Sequence, residues 1–150
     1  MKKTLLLALI PLFIGAFPAM AQEEDQSFAV EYYYRVKWGH FDEFLALYKK
    51  NHYPILKRLQ DEGIIVDQYA AYPVNHASEN SRWDFRYTIV YKDVAAAHGS
   101  DPEWREQTLN ELYPDRETFD REEQRRFSLL LEHTDIPIWR DDLDGWKTTP

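Results

Sequence analysis

Val30-Glu-Tyr-Tyr-Tyr-Arg-Val-Lys-Trp38 alternates along its whole length. With Phe28, the residues Val30, Tyr32, Tyr34, Val36 and Trp38 fall on one side, and Ala29, Glu31, Tyr33, Arg35 and Lys37 on the other. A period of two is that of a β-strand with one face covered. Gly39-His40 makes a turn, and the period then changes. Phe41, Phe44, Leu45, Tyr48, His52, Ile55, Leu56 and Leu59 follow the 3.6-residue repeat of an α-helix and form one apolar stripe. Asp42 and Glu43 stand in its first turn, where carboxylates complement the helix dipole. Pro54 removes an amide donor and crowds the carbonyl of Lys50, so a kink is expected near residues 50–54. The stripe stays in phase through the kink, which predicts one bent helix closed by Gly63.

The chain downstream reads as two more strands and a helical part. Ile64 to Tyr72 is the second strand, ended by Pro73. A polar connection from Val74 to Ser81 carries Asn75, His76 and Asn80. Arg82 to Lys92 alternates again, with Trp83, Phe85, Tyr87, Ile89 and Tyr91 on one face and Arg82, Asp84, Arg86, Thr88 and Val90 on the other. The second and third strands are expected to pair as an antiparallel hairpin. Asp101 caps a helix with Pro102 at its first position, running to about Leu112. A second helix is expected over about Arg116 to His133, its dense Glu and Arg read as a solvated face. Ile136-Pro137-Ile138-Trp139 reads as a short last strand, confined by its proline to an edge or a strand start.

At the N-terminus, Lys2 and Lys3, the apolar run Leu5 to Phe17 and Ala19-Met20-Ala21 have the three parts of a secretory signal peptide. The run reaches about 20 Å as a helix, short of the roughly 30 Å hydrocarbon core, so cleavage is expected rather than anchoring. Residues 1–21 are therefore read as a signal peptide and residues 22–150 as one α+β domain, periplasmic or secreted. The chain has 26 acidic against 18 basic residues, a net charge of −8, and loss of the two leader lysines makes it more acidic still. Such a surface repels phosphate backbones, which argues against nucleic acid as a partner. Cysteine is absent, excluding disulfides, thiolate nucleophiles and Cys-based metal sites.

The order strand, helix, strand, strand, helices, short strand is that of a ferredoxin-like α+β sandwich, an antiparallel sheet with helices on one face. Several motifs resemble the dimeric α/β-barrel superfamily: Tyr33-x-Arg35-Val36-Lys37-x-Gly39, Phe41-x-x-Phe44, His52-x-Pro54, Gly63 before the second strand, and Trp83-Asp84-Phe85-Arg86. The resemblance covers about Val30 to Ala97, and the helical C-terminal part is longer than the superfamily's usual second helix. It implies a homodimer formed by sheets packed face to face, with a cavity between sheet and helices in each protomer. Members include cofactor-independent quinol-forming monooxygenases, haem-binding and haem-degrading enzymes, and many small proteins without assigned activity. No catalytic motif of either enzyme group maps onto this chain, which looks closest to the last group.

Three sets of residues are candidates for function. His52 lies on the buried stripe beside the kink, where an imidazole can move protons or bind metal or haem iron. It can equally be a core histidine hydrogen-bonded at the proline kink. Arg35, Asp84 and Arg86 sit on neighbouring strands, so two guanidinium groups around one carboxylate could leave donors for an anionic ligand, with Tyr33 and Tyr48 as further ligand contacts. The alternative is a structural ion-pair network at the dimer interface. Tyr32, Tyr34, Trp38, Trp83, Phe85 and Tyr87 line an aromatic pocket or fill the core. His40, His76, His98 and His133 lack metal-site spacing, and no cofactor is implied. The expectation is an exported homodimeric domain of unassigned activity that binds a small ligand or a partner protein, with a cofactor-independent monooxygenase or haem-associated enzyme as its rival.

Overall fold

The computed structural model describes residues 27–75, 77–99 and 101–139. The signal-peptide reading, His76 and the acidic C-terminal tail lie outside the described residues. The elements are β1 (Phe28–Val36), α1 (Phe41–Leu47), a π-helical turn (Tyr48–His52), α2 (Tyr53–Asp61), β2 (Ile65–Ala71), β3 (Phe85–Tyr91), α3 (Val94–His98), α4 (Pro102–Leu112), α5 (Arg116–Ser128) and β4 (Leu130–Ile138). The sheet runs β2-β3-β1-β4 and every neighbouring pair is antiparallel. This is the ferredoxin-like order, an α+β fold as read from the sequence. No helix among the described residues is long and apolar enough to cross a membrane.

The alternation of β1 and β3 decides which face the helices cover. Val30 lies opposite Ile89, Tyr32 opposite Tyr87 and Tyr34 opposite Phe85. These side chains point to one face, where Phe44, Tyr48 and Leu56 of the helix stripe meet them in a single core. Phe44 is fully buried, with its ring 5.4 Å from that of Tyr34, which is in turn 5.5 Å from Phe85. The aromatic residues Tyr34 and Phe85 thus fill the core.

The C-terminal end of β1 differs from expectation. The strand begins at Phe28 and stops at Val36, because side chains take the backbone groups of Val36 that a further ladder would use. Its N–H donates to Asp84 Oδ2 at 2.8 Å, and its carbonyl accepts from Arg82 Nη2 at 3.1 Å. Trp38 is left 72% exposed, stacked 4.3 Å from the Arg82 guanidinium, and so belongs to neither core nor pocket. β3 likewise starts at Phe85 rather than Arg82, which frees Trp83 to turn to the other face of the sheet, edge-on to Tyr33 at 5.8 Å.

The largest correction is at the C-terminal end. α5 stops at Ser128, not His133, and β4 is a nine-residue strand rather than the short Ile136–Trp139 segment. The free edge of β1 needs a partner for its amides and carbonyls, and Leu130–Ile138 supplies one along its whole length. Pro137 is tolerated because β4 is an edge strand. The short α3, capped by Asp93 accepting from the Ala96 N–H at 2.6 Å, has no counterpart in the sequence reading.

The expected kink takes the form of a π-helical turn. The Tyr53 N–H closes on the Tyr48 carbonyl, one residue further back than in an α-helix. α4 and α5 hold this turn from outside. Asn51, 1% exposed, donates to Glu122 Oε2 at 2.9 Å, and Lys50 donates to Glu122 Oε1 at 2.7 Å. The Tyr113 hydroxyl donates to the Asn51 carbonyl at 2.6 Å. Tyr113→Phe leaves that carbonyl unpaired, and should lower unfolding stability by about 1–2 kcal/mol in a urea titration without changing the slope of the transition.

Candidate functional site

α4 and α5 reach the sheet only indirectly, and a cavity results. Ile55, Leu109 and Phe119 form a small second core with Trp104, Leu112 and Tyr113, so the extra helices pack on α2. Between α2, α3, α4, α5 and the end of β3 is a cavity of about 1340 Å³. Its apolar wall includes Leu56, Leu59, Ile64, Ala96, Trp104 and Phe127; its polar groups include His52, Tyr91, Lys92, Arg105, Glu123 and Arg126.

The π-turn places His52 on this wall. Among the described residues neither of its ring nitrogens makes a hydrogen bond, and its close neighbour is the Tyr48 ring, 5.0 Å away. The histidine is therefore not the hydrogen-bonded core residue that the kink allowed. Burial lowers its pKa from 6.5 to about 3, and the positive charges of Arg126, Arg105 and His133 push the same way. At neutral pH it is an uncharged imidazole with a free lone pair.

Arg126 is the largest of these charge effects. It is 2% exposed and forms a bidentate pair with Glu123, at 2.9 and 2.7 Å. Its guanidinium lies 4.5 Å from the Phe127 ring and 5.7 Å from that of Tyr48. Burial raises the Tyr48, Tyr32 and Tyr91 pKa values, which keeps these phenols protonated, and the Tyr32 and Tyr91 hydroxyls are 3.0 Å apart. His133 stacks on Tyr34 at 4.3 Å and pairs with Asp135 at 3.0 Å; burial lowers its pKa against the pull of that carboxylate. The chemistry available is one neutral base or acceptor, several phenols and fixed cations. Among the described residues no group of three or more His, Asp or Glu side chains is placed to hold a metal ion, so His52 would be a single ligand.

The charged set read from the sheet is divided. Asp84 does not sit between Arg35 and Arg86: it pairs with Arg82. Arg86 pairs with Glu31 at 3.1 Å, and Glu31 also accepts from the Tyr33 hydroxyl at 2.5 Å. Arg35 pairs with Glu132 at 3.0 Å and donates to the Glu79 carbonyl at 2.7 Å. Alternation fixes the face of a side chain but not its partner, and Glu132 came from a segment read as helix. Tyr33, Arg35 and Arg86 thus share the sheet face away from the helices, whereas Tyr48 is on the core side. Tyr48, Phe85 and Tyr87 also border a smaller cleft of about 460 Å³ beside β2, together with Tyr53, Tyr69 and Tyr72.

Sequence reasoning missed Arg105, Glu123 and Arg126. A signal existed for Arg126, which is two helical turns after the buried Phe119 and so on the same stripe.

No family model matches this chain, and no curated protein matches it. Solved structures of similar shape are found. A NIPSNAP family protein from Agrobacterium tumefaciens is 14% identical, covering 81% of this chain and 99% of its own, with a TM-score of 0.46. A dimeric ferredoxin-like protein from an uncultured marine organism is 6% identical, covering 79% of this chain and 91% of its own, with a TM-score of 0.49. A dabb family protein with a ferredoxin-like fold from Mesorhizobium loti is 14% identical, covering 76% of this chain and 96% of its own, with a TM-score of 0.43. The likeness is one of overall architecture.

The low pKa of His52 has a consequence for stability. As pH falls below 6.5 the unfolded chain takes up a proton that the folded chain does not bind until about pH 3. Stability from this group is full above 6.5 and declines through the window down to 3. Between pH 8 and pH 5 the loss should be up to about 2 kcal/mol. Urea midpoints of wild type and His52→Gln at the two pH values should show a steeper acid loss in wild type.

Proposed function

We propose that this chain is an exported, homodimeric binding domain whose cavity takes an apolar organic ligand against the neutral imidazole of His52. The observation that carries the reading is that unpartnered, uncharged ring on the wall of a cavity of about 1340 Å³. A half-buried imidazole with no hydrogen bond in its own chain, on the wall of a largely apolar cavity, offers a polar contact to a bound molecule. Native mass spectrometry of protein recovered after export tests it. Wild type should carry extra mass, or gain it from a hydrophobic ligand set, and Ala96→Trp, which puts a bulky ring into the apolar wall, should carry or gain less. Wild type that stays bare throughout would end this reading.

Homodimerisation is supported by the sheet face away from the helices. Thr88 Oγ1, Arg35 Nε and Arg86 Nε are buried there without hydrogen-bond partners. Tyr33, Trp83, Arg35 and Arg86 are only half-buried there, and a second copy laid on this face would cover these aromatic and arginine side chains. Arg86→Glu places a second acid beside Glu31 and should convert the dimer to a monomer by native mass. Export rests on the signal pattern of residues 1–21, and the recovered protein should begin at Gln22.

A cofactor-independent monooxygenase or haem-associated enzyme is the second reading, favoured by a neutral base and the buried phenol of Tyr91 in one cavity lining. Turnover in an oxygen-dependent quinol or haem assay, abolished by His52→Ala, would promote it over simple binding.

A further inference from the structure

We infer that the ligand of this cavity is an organic anion with an apolar body, its acidic headgroup held by the guanidinium of Arg105. The inference rests on the cavity being a binding site and names the class of molecule it takes. The arginines of the described residues differ in their partners. Arg35, Arg58, Arg82, Arg86, Arg116, Arg121, Arg125 and Arg126 all pair with carboxylates. Arg105, solvent-exposed among the residues lining the cavity, is the one arginine among the described residues whose side chain has no ion pair or hydrogen bond.

That vacancy stands out in a chain with 26 acidic residues. Acids are close at hand on the same wall. Asp101 lines the cavity, but its carboxylate accepts the Glu103 and Trp104 N–H groups at 3.0 Å as the cap of α4. Asp120 and Asp93 also line it, and Asp93 is occupied in capping α3. Lys92, also in the lining, makes no side-chain contact with an acid either. Two cations without an ion pair, Arg105 and Lys92, therefore share the cavity lining with the carboxylate of Asp120 and with Leu59, Ala96, Trp104 and Phe127. A guanidinium with its donors free is suited to a planar carboxylate or sulfonate, which it can grip by two parallel hydrogen bonds. The remainder of such a ligand would displace water from the apolar wall and reach toward His52. Arg105 also acts electrostatically on His52, so the headgroup position and the imidazole belong to one space.

Two dyes that share a body and differ in headgroup test this. Anilinonaphthalene sulfonate is the anion, and N-phenylnaphthylamine is the same body without the sulfonate. Both should fluoresce on binding wild type, and Ala96→Trp should release both. Arg105→Gln should weaken the sulfonate about tenfold and leave the uncharged amine essentially unchanged. Arg121→Gln, which removes an exposed arginine of α5 remote from the cavity wall, should alter neither. If Arg105→Gln weakens both dyes alike or neither, the anion assignment is overturned while the cavity remains a binding site. If both dyes persist in Ala96→Trp, they bind elsewhere and the assignment falls. If wild type binds neither dye, the binding reading itself fails.

Discussion

The π-helical turn at Tyr48–His52 is the constraint on which the interior depends. A helix that closes one bond over five residues lengthens its local repeat, so residues that a regular helix would spread around its circumference are held toward the inside together. Tyr48 enters the core against Phe85, Asn51 is buried against α5, and His52 reaches the cavity. Pro54 lacks the amide that a regular ladder would require, which makes the irregular turn the cheaper one. The freed polarity does not go to His52. Tyr113 and Glu122 take it, and the imidazole is left with nothing to bind in its own protein.

The second organising feature is electrostatic. Arg126 is almost wholly buried, and its bidentate pair with Glu123 satisfies it while Phe127 and Tyr48 cover its faces. A buried pair of this kind contributes little net stability, because desolvation offsets most of the attraction. What it does supply is a fixed positive charge that adds to burial in keeping the His52 ring neutral. Burial and charge thus cooperate on one group, and neither depends on a bound ion.

Much of the architecture was legible in the sequence because two signals are strong here. The alternation of β1 and β3 assigned both faces, and the stripe from Phe41 to Leu59 located the long helix, its distortion and His52. What the sequence hid was decided at longer range. Leu130 and Leu131 continue a helical pattern locally, and only the unpaired edge of β1 draws them into a strand. Asp84 and Arg86 stand on one face by alternation, yet Arg82 and Glu31 take them as partners because side-chain reach, not period, sets ion pairs. Arg126 sits in a run whose charge density disguises an inward position. The cavity itself is an outcome of α4 and α5 resting on α2, which no local pattern encodes.

The placement of β1 between β3 and β4 also bears on how the chain reaches this state. Ala29 is matched to Ile138, so the first strand finds its second neighbour only at the far end of the described chain. Closing so long a loop costs entropy before any contact compensates for it, and topologies of this kind fold slowly for their size. Until β4 arrives, β1 offers a bare edge rich in tyrosine and valine, a surface prone to pairing with other chains. The cavity is completed by the same late segment, since α5 ends only two residues before β4 begins. A molecule that binds there can engage only a chain whose assembly is nearly done. It would act on the lifetime of the finished protein rather than on the speed of reaching it.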